Sequence, residues 1–265
     1  MHFAAAATLT WILFASGPSP DSAGPQLRHA GTLTVCSYAH FAPISYSDGQ
    51  GYEADLLRAV ARHWAVHPRF VPIEKFDGIW LAPAGPEPGC DVAIGGISPT
   101  AERRAQGAVF GPGTASFAQS LLVRRSDFDS GRITGYRSFA GTAMAIGVVP
   151  GTTGESYARQ RAAEAGLPET VFRSYPSEDD LLPALKSGVI DAIARGEIGN
   201  RYQQSLDPSL LTIDLRDFGE SFAMALDPAN PGLPDALART LNEVRAGGAL
   251  GYPEWLIDPH VFDAR

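Results

Sequence analysis

The chain has 265 residues and a formal net charge of −8 at pH 7. This length favours one interrupted domain or two lobes over several large domains. Because binding to a phosphate backbone requires a basic face, the negative net charge argues against a nucleic-acid partner.

The N-terminus has the pattern of a secretory signal peptide over residues 1–24. An apolar stretch from Phe3 to Ser16 precedes small and turn-forming residues, and cleavage is expected between Gly17 and Gly24. A buried N-terminal helix is the alternative, since no Lys or Arg stands before the apolar stretch. No cysteine follows the stretch, so no lipoprotein anchor is expected. We therefore expect a periplasmic or secreted protein.

Strand and helix patterns then alternate from Gly31 to Gly96. Pro68 is expected to separate the first helix from the second strand. Such alternation predicts a parallel sheet with right-handed crossovers. The predicted elements are a strand over 32–37, an amphipathic helix over 53–65, a strand over 69–73, a short helix over 76–82 and a strand over 91–95.

The two cysteines are associated with two of these predicted strands. Cys36 lies late in the first strand, whereas Cys90 opens the third. If these strands are parallel neighbours, the sulfur atoms lie at opposite strand ends and exceed the bridging distance. The prediction is two free thiols.

The alternation repeats in the second half of the chain. Two α/β units predict two lobes that face each other across a cleft, because ligands bind beyond the carboxyl ends of strands in such sheets. The predicted elements are strands over 143–149, 171–175 and 189–194, a helix that follows Gly151 and runs to Ala165, and a helix that begins after Ser177 and ends at Gly188.

The segment from Gly95 to Arg103 is the first candidate for binding a ligand. Gly96 allows a close approach to the backbone, and Pro99 holds Ser98 extended. Arg103 offers a planar fork that matches a carboxylate. A solvated surface arginine is the simpler alternative.

The turn from Pro150 to Glu155 is the second candidate. The free amides at the start of a helix, together with the hydroxyl of Thr152 or Thr153, offer donors to an anion. A capping box of Thr152 and Glu155 without any ligand is the alternative. Aromatic residues near the same strand ends, Tyr38, Phe41 and Phe76 among them, either stack on a ligand or fill the core.

Ten short motifs follow one another along the chain. They are Gly31-Thr-Leu-Thr-Val35, Phe41-Ala-Pro-Ile-Ser-Tyr46, Gly51-Tyr-Glu-Ala-Asp-Leu56, Phe76-Asp-Gly78, Asp91-Val-Ala-Ile-Gly-Gly-Ile-Ser98, Glu102-Arg103, Ser120-Leu-Leu-Val-Arg124, Gly151-Thr-Thr-Gly-Glu155, Leu185-Lys-Ser-Gly188 and Ile190-Asp-Ala192. In the order of these motifs the sequence resembles the bacterial extracellular solute-binding proteins of family 3, the polar amino-acid receptors of ABC importers. This resemblance implies a two-lobed α/β fold of the type II periplasmic-binding-protein kind, with lobe 1 over 28–117 plus 223–265 and lobe 2 over 118–222.

The resemblance also implies roles for individual residues. Arg103 would bind the α-carboxylate of an amino acid with help from Ser98 and Thr153, and the carbonyl of Gly96 would help to bind its α-amine. The side chain of the ligand would lie between two phenylalanines, Phe41 and Phe76.

One position departs from the family pattern. Members commonly carry an aspartate five residues after Asp191, where it pairs with the α-amine, and this chain has Gly196 there. Either Glu197 turns inward to replace it, or the ligand lacks a conventional α-amine. Tyr38 stands where many relatives carry a polar or acidic contact, which favours a flat or hydroxyl-bearing ligand.

These observations predict a receptor that closes around a small carboxylate-bearing ligand, expected to be an amino acid, without transforming it. A membrane-bound ABC permease is the expected partner, the protein is expected to be a monomer, and no cofactor or metal is expected. His63 and His67 have zinc-like spacing, but no Glu follows His63.

Two alternatives remain open. The same fold hosts cyclohexadienyl dehydratases, and Glu197 or His40 could then serve as the general acid. The other alternative is the sensory lobe of a signalling protein, which predicts a membrane span or kinase segment after the lobes.

Overall fold

The computed structural model describes residues 25–86 and 89–263. The predicted signal peptide, residues 1–24, lies outside this range. Among the described residues, no helix combines the length and the apolar character that crossing a membrane requires.

Ten strands and eight α-helices form within the described ranges, with short 3-10 segments at Ile79–Ala84, Tyr136–Phe139 and Glu169–Val171. The strands are β1 (Thr32–Tyr38), β2 (His40–Phe41), β3 (Ser45–Tyr46), β4 (His67–Ile73), β5 (Val92–Ile94), β6 (Val109–Arg124), β7 (Ile146–Val148), β8 (Phe172–Ser174), β9 (Ala192–Gly196) and β10 (Leu210–Leu226). The helices are α1 (Tyr52–His63), α2 (Ala101–Ala105), α3 (Arg125–Asp129), α4 (Thr153–Glu164), α5 (Glu178–Lys186), α6 (Glu197–Leu206), α7 (Leu233–Val244) and α8 (Tyr252–Ile257).

Eight strands form one sheet in the order β4-β1-β5-β10-β6-β9-β7-β8, and β2 pairs with β3 in a small hairpin. Strand β1 is parallel to β4 and β5, and β7 is parallel to β8 and β9. The long strands β6 and β10 are antiparallel to each other and join these two parallel groups. The predicted mixed α/β fold is confirmed, while the predicted lobe boundaries, which fall within β6 and β10, stay a prediction.

The first helix shows how the apolar pattern produces this packing. In α1 the side chains of Leu56 and Val60 are fully buried, whereas Arg62 is exposed. The helix ends just before Ala65, which adopts a left-handed φ of 53° and turns the chain into β4. Pro68 lies inside β4 because that strand is at the edge of the sheet, where a missing N–H is tolerated.

Cys36 and Cys90 form a disulfide, so the prediction of two free thiols is wrong. Strands β1 and β5 are parallel neighbours as expected, with Cys36 opposite Ala93. However, β5 begins only at Val92 and the backbone bends at Asp91, so Cys90 does not continue the line of the strand. Its Cα atom lies 5.8 Å from that of Cys36, within the bridging distance.

Candidate ligand-binding site

A cavity lies between the two parallel groups of strands, beyond the carboxyl ends of β1, β5, β7 and β9. The space open to a water-sized molecule is about 30 Å³. Since this is close to the volume of one water molecule, the two sides must separate before a ligand of amino-acid size can enter. The lining residues are Tyr38, Phe41, Phe76, Gly96, Phe117, Thr152, Thr153, Gly154, Glu178, Arg195, Gly196 and Phe222.

Several polar contacts between described residues cross the cleft and hold it closed, among them the following three. The hydroxyls of Ser98 and Thr153 lie 3.3 Å apart. The Arg103 guanidinium donates from Nη2 to the carbonyl of Gly151 at 2.8 Å. At the rim, His40 Nδ1 lies 2.8 Å from Asp179 Oδ2, while its Nε2 lies 2.7 Å from Glu74 Oε2 on its own side.

Aromatic rings form most of the cavity wall, and glycines let them approach the backbone. A Cβ atom at Gly96 would lie 2.5 Å from Phe41 Cε1, and one at Gly199 would lie 2.8 Å from Phe41 Cε2. The ring of Phe41 is thus held between backbone segments from both sides of the cleft. Phe117 stacks on Phe222 with ring centroids 4.1 Å apart, so the two crossing strands also contribute to this wall.

Arg103 occupies the position expected for a residue that binds a carboxylate, but it is buried rather than solvated. Its guanidinium donates to the carbonyl of Ser98 at 2.7 Å and lies 4.2 Å from the centroid of the Trp80 ring. Burial lowers the pKa of Arg103 to about 10, which leaves the group charged at neutral pH. Arg103 lines a pocket of about 140 Å³ that adjoins the cavity and shares Thr152 and Thr153 with it.

The turn before α4 makes the predicted capping interactions and also faces the cleft. Thr152 Oγ1 accepts from the amide of Glu155 at 3.0 Å, and Glu155 Oε2 accepts from the amide of Gly151 at 2.9 Å. Thr153 is not used in this cap; its hydroxyl lies 3.1 Å from Gln119 Nε2 and contacts Ser98. Thr153 is therefore the hydroxyl at this turn that is placed to meet a ligand from the opposite side.

Gly196 and Glu197 lie where the α-amine of an amino acid was expected to bind. A Cβ atom at Gly196 would lie 3.0 Å from Phe117 Cδ2, so the ring of Phe117 fills the space that a side chain at this position would need. Glu197 does not line the cavity: it accepts from the amide of Ala118 at 3.2 Å and pairs with Arg201 at 2.6 Å. The structure thus brings together every predicted site residue except Glu197.

Two charged residues that sequence reasoning missed also line the cavity. Arg195 donates from Nη1 to Glu178 Oε2 at 2.9 Å and from Nε to Asn200 Oδ1 at 2.8 Å, and both members of the ion pair are buried. Burial raises the pKa of the Glu178 carboxyl, and the Arg195 guanidinium counteracts that rise. The available signal was positional, since Arg195 directly follows a predicted strand and Glu178 directly follows the predicted cap residue Ser177.

Glu53 is a further residue that sequence reasoning missed. It is fully buried in α1, and its carboxylate accepts from the amides of Gly95 and Gly96 at 2.8 and 3.0 Å and from the hydroxyl of Thr114 at 2.5 Å. Burial raises the pKa of Glu53, while these donors lower it. The carboxylate therefore fixes the glycine loop that forms one side of the cavity.

Both the sequence and the fold are similar to those of known proteins. The sequence matches the profile of the bacterial extracellular solute-binding proteins, family 3, over residues 33–251. None of the curated proteins matches the sequence significantly.

Several solved structures share the fold. An ancestral arginine-binding protein bound to arginine is 25% identical, with a TM-score of 0.71, and the match covers 82% of this chain and 94% of that chain. An amino acid ABC transporter substrate-binding protein from Streptococcus pneumoniae, bound to L-arginine, is 25% identical with a TM-score of 0.70 and coverages of 88% and 95%. An ancestral amino acid-binding protein described as a precursor of cyclohexadienyl dehydratase is 24% identical with a TM-score of 0.71 and coverages of 82% and 91%.

Proposed function

Because the chain belongs to the bacterial extracellular solute-binding proteins of family 3, we propose that it captures a small carboxylate-bearing ligand, an amino acid, by closure of its two lobes. The observation that carries this proposal is the position of Arg103, a buried guanidinium that spans the cleft to Gly151. Two structures with this fold are bound to arginine, which supports an amino acid as the ligand.

The carboxylate of the ligand would bind at Arg103. In the closed form the guanidinium donates to two backbone carbonyls, those of Ser98 and Gly151, one from each side of the cleft. A carboxylate can replace both acceptors with two parallel charge-assisted bonds, which are stronger than bonds to neutral carbonyls. Thr153 would donate to the same carboxylate from the opposite lobe, so that binding favours closure.

The closed receptor would deliver its ligand to an ABC permease, and the protein would act in the periplasm or outside the cell. We propose that it does not transform the ligand. Neither His40 nor Glu197, the two general-acid candidates considered from the sequence, lines the cavity, although the carboxyl of Glu178 does. Incubation of the purified protein with prephenate tests this point, because turnover of prephenate would establish the dehydratase alternative instead.

A thermal-shift screen against amino acids, 2-oxo acids and small amines tests the proposed function, since a ligand that binds only the folded state raises the melting temperature. Titration calorimetry on the Arg103→Ala variant should then show a loss of roughly 30-fold to 1000-fold in affinity, because a bidentate charge-assisted contact is removed. Arg104→Ala is the matched control, since Arg104 is exposed in the same helix. Unchanged affinity in Arg103→Ala would contradict the assignment.

A further inference from the structure

The cavity has one polar end, formed by Glu178 and Tyr38. Glu178 is the one carboxylate among the described residues that line the cavity. Its Oε2 atom accepts from Arg195, and within the described chain no hydrogen bond reaches Oε1. The other lining residues are aromatic, small or hydroxyl-bearing apart from Arg195.

Tyr38 brings a second hydrogen-bonding group to the same end. Its side chain is 1% exposed, and its hydroxyl has no hydrogen-bond partner among the described residues. The phenol lies close to Glu178: the charge of this residue adds to the effect of burial in raising the pKa of Tyr38, while the backbone amide of Glu178 approaches the phenol oxygen and lowers that pKa. No hydrogen bond of good geometry forms within the described chain, and a buried hydroxyl without such a bond is destabilising, so its presence in a cavity wall is explained if a ligand pairs with it.

The Glu178 carboxylate is held in place by its own set of partners. Arg195, which fixes Oε2, is itself fixed by the side chain of Asn200 and the carbonyl of Gly199. These contacts prevent rotation of the Glu178 side chain, so its Oε1 atom has a defined position in the cavity. Arg195 is a positioning residue in this arrangement, and it leaves one oxygen of Glu178 available as an acceptor.

The rest of the cavity suits a cation at this end. The rings of Phe41 and Phe117 present π-electron density, which attracts a positive charge. Gly196 brings no side chain to the cavity, and a Cβ atom there would lie 3.0 Å from Phe117 Cδ2. A ligand ammonium in the cavity therefore has Glu178 as its available anionic partner.

We infer that Glu178 and the Tyr38 hydroxyl together bind the ammonium group of the ligand. This inference rests on the proposed function, because it assumes that the site takes an amino acid. The ammonium can be the α-ammonium or one on the ligand side chain, and the experiment below separates the two.

The test uses the twenty standard L-amino acids on the wild-type protein, followed by the desamino carboxylic acid of each amino acid that binds. Tyr38→Phe should lower the affinity for the bound amino acid about 10-fold, and Glu178→Gln on the order of 10- to 100-fold, because a charge-assisted bond is lost. The desamino acid should bind the wild type weakly if the α-ammonium is recognised. It should bind well, and stay sensitive to Glu178→Gln, if a side-chain ammonium is recognised.

If Glu178→Gln does not fold, Tyr38→Phe alone tests the inference. This variant should fold, because it removes only a buried hydroxyl that makes no hydrogen bond of good geometry within the described chain. Its melting temperature without ligand should equal or exceed that of the wild type, while its affinity falls. Tyr136→Phe is the matched control, because Tyr136 is a buried tyrosine in the hydrophobic cluster of the second parallel group. Equal affinities in wild type, Tyr38→Phe and Glu178→Gln would overturn this inference alone, whereas no response to any amino acid would overturn the proposed function and this inference with it.

Discussion

Reduction of the Cys36–Cys90 disulfide should destabilise the protein by a large and calculable amount. The two residues are 54 positions apart, so the bridge closes a long loop that contains the β2–β3 hairpin, α1 and β4. In the chain-entropy description, a loop of this length removes enough freedom from the unfolded state to stabilise the fold by about 4 kcal/mol. Both sulfur-bearing side chains are fully buried, so reduction leaves the folded surface unchanged.

The assay is urea unfolding with and without a thiol reductant, monitored by tryptophan fluorescence. The midpoint should fall in reductant, and the slope of the transition should change because the reduced chain unfolds to a more expanded state. The double variant Cys36→Ala/Cys90→Ala is the control, since reductant should not affect it. Equal free energies of unfolding in the oxidised and reduced wild type would refute the assigned pairing.

Two further predictions concern the cleft. Burial lowers the pKa of His40, but its hydrogen bonds with Asp179 and Glu74 outweigh this effect and raise the pKa above its ordinary value. Because Asp179 lies across the cleft, protonated His40 stabilises the closed form. The affinity for the ligand, measured by calorimetry, should therefore be highest below about pH 6.5 and fall as the pH rises through the raised pKa. A His40→Gln variant with the same pH profile as the wild type would speak against this. Gly196→Ala should lower the free energy of unfolding by about 1–3 kcal/mol, because the added methyl group contacts the ring of Phe117. Adding Phe117→Leu should recover part of this loss. An unchanged free energy of unfolding in Gly196→Ala would show that the ring moves freely.

The alternation of strands and helices was predictable because it depends on local patterns. The apolar run that contains Leu33 and Val35 forms β1, and the 3.6-residue spacing of Leu56 and Val60 forms the buried face of α1. The position of Arg103 in the first turn of the helix after β5 was equally predictable, because strand ends and helix caps are determined by residues close together in sequence.

The features that could not be predicted depend on contacts between distant segments. Periodicity gives no information on the bend at Asp91, which brings Cys90 over Cys36. Likewise the pairing of Glu178 with Arg195 requires the three-dimensional approach of α5 to β9. An inward-turning Glu197 was one of the two alternatives that the sequence left open. The direction of a side chain at a helix start is set by its partners, and those of Glu197 are Arg201 and an amide of β6.

The place of β10 in the sheet has a consequence for how the chain folds. Among the described strands it is the last in sequence, yet it lies at the centre of the sheet between β5 and β6. Before residues 210–226 have been synthesised, the facing edges of β5 and β6 have no partner. Such late, non-local pairing slows folding, because loop closure must precede the contacts that reward it. A nascent chain of this topology therefore cannot complete its eight-stranded sheet until residues 210–226 have been synthesised.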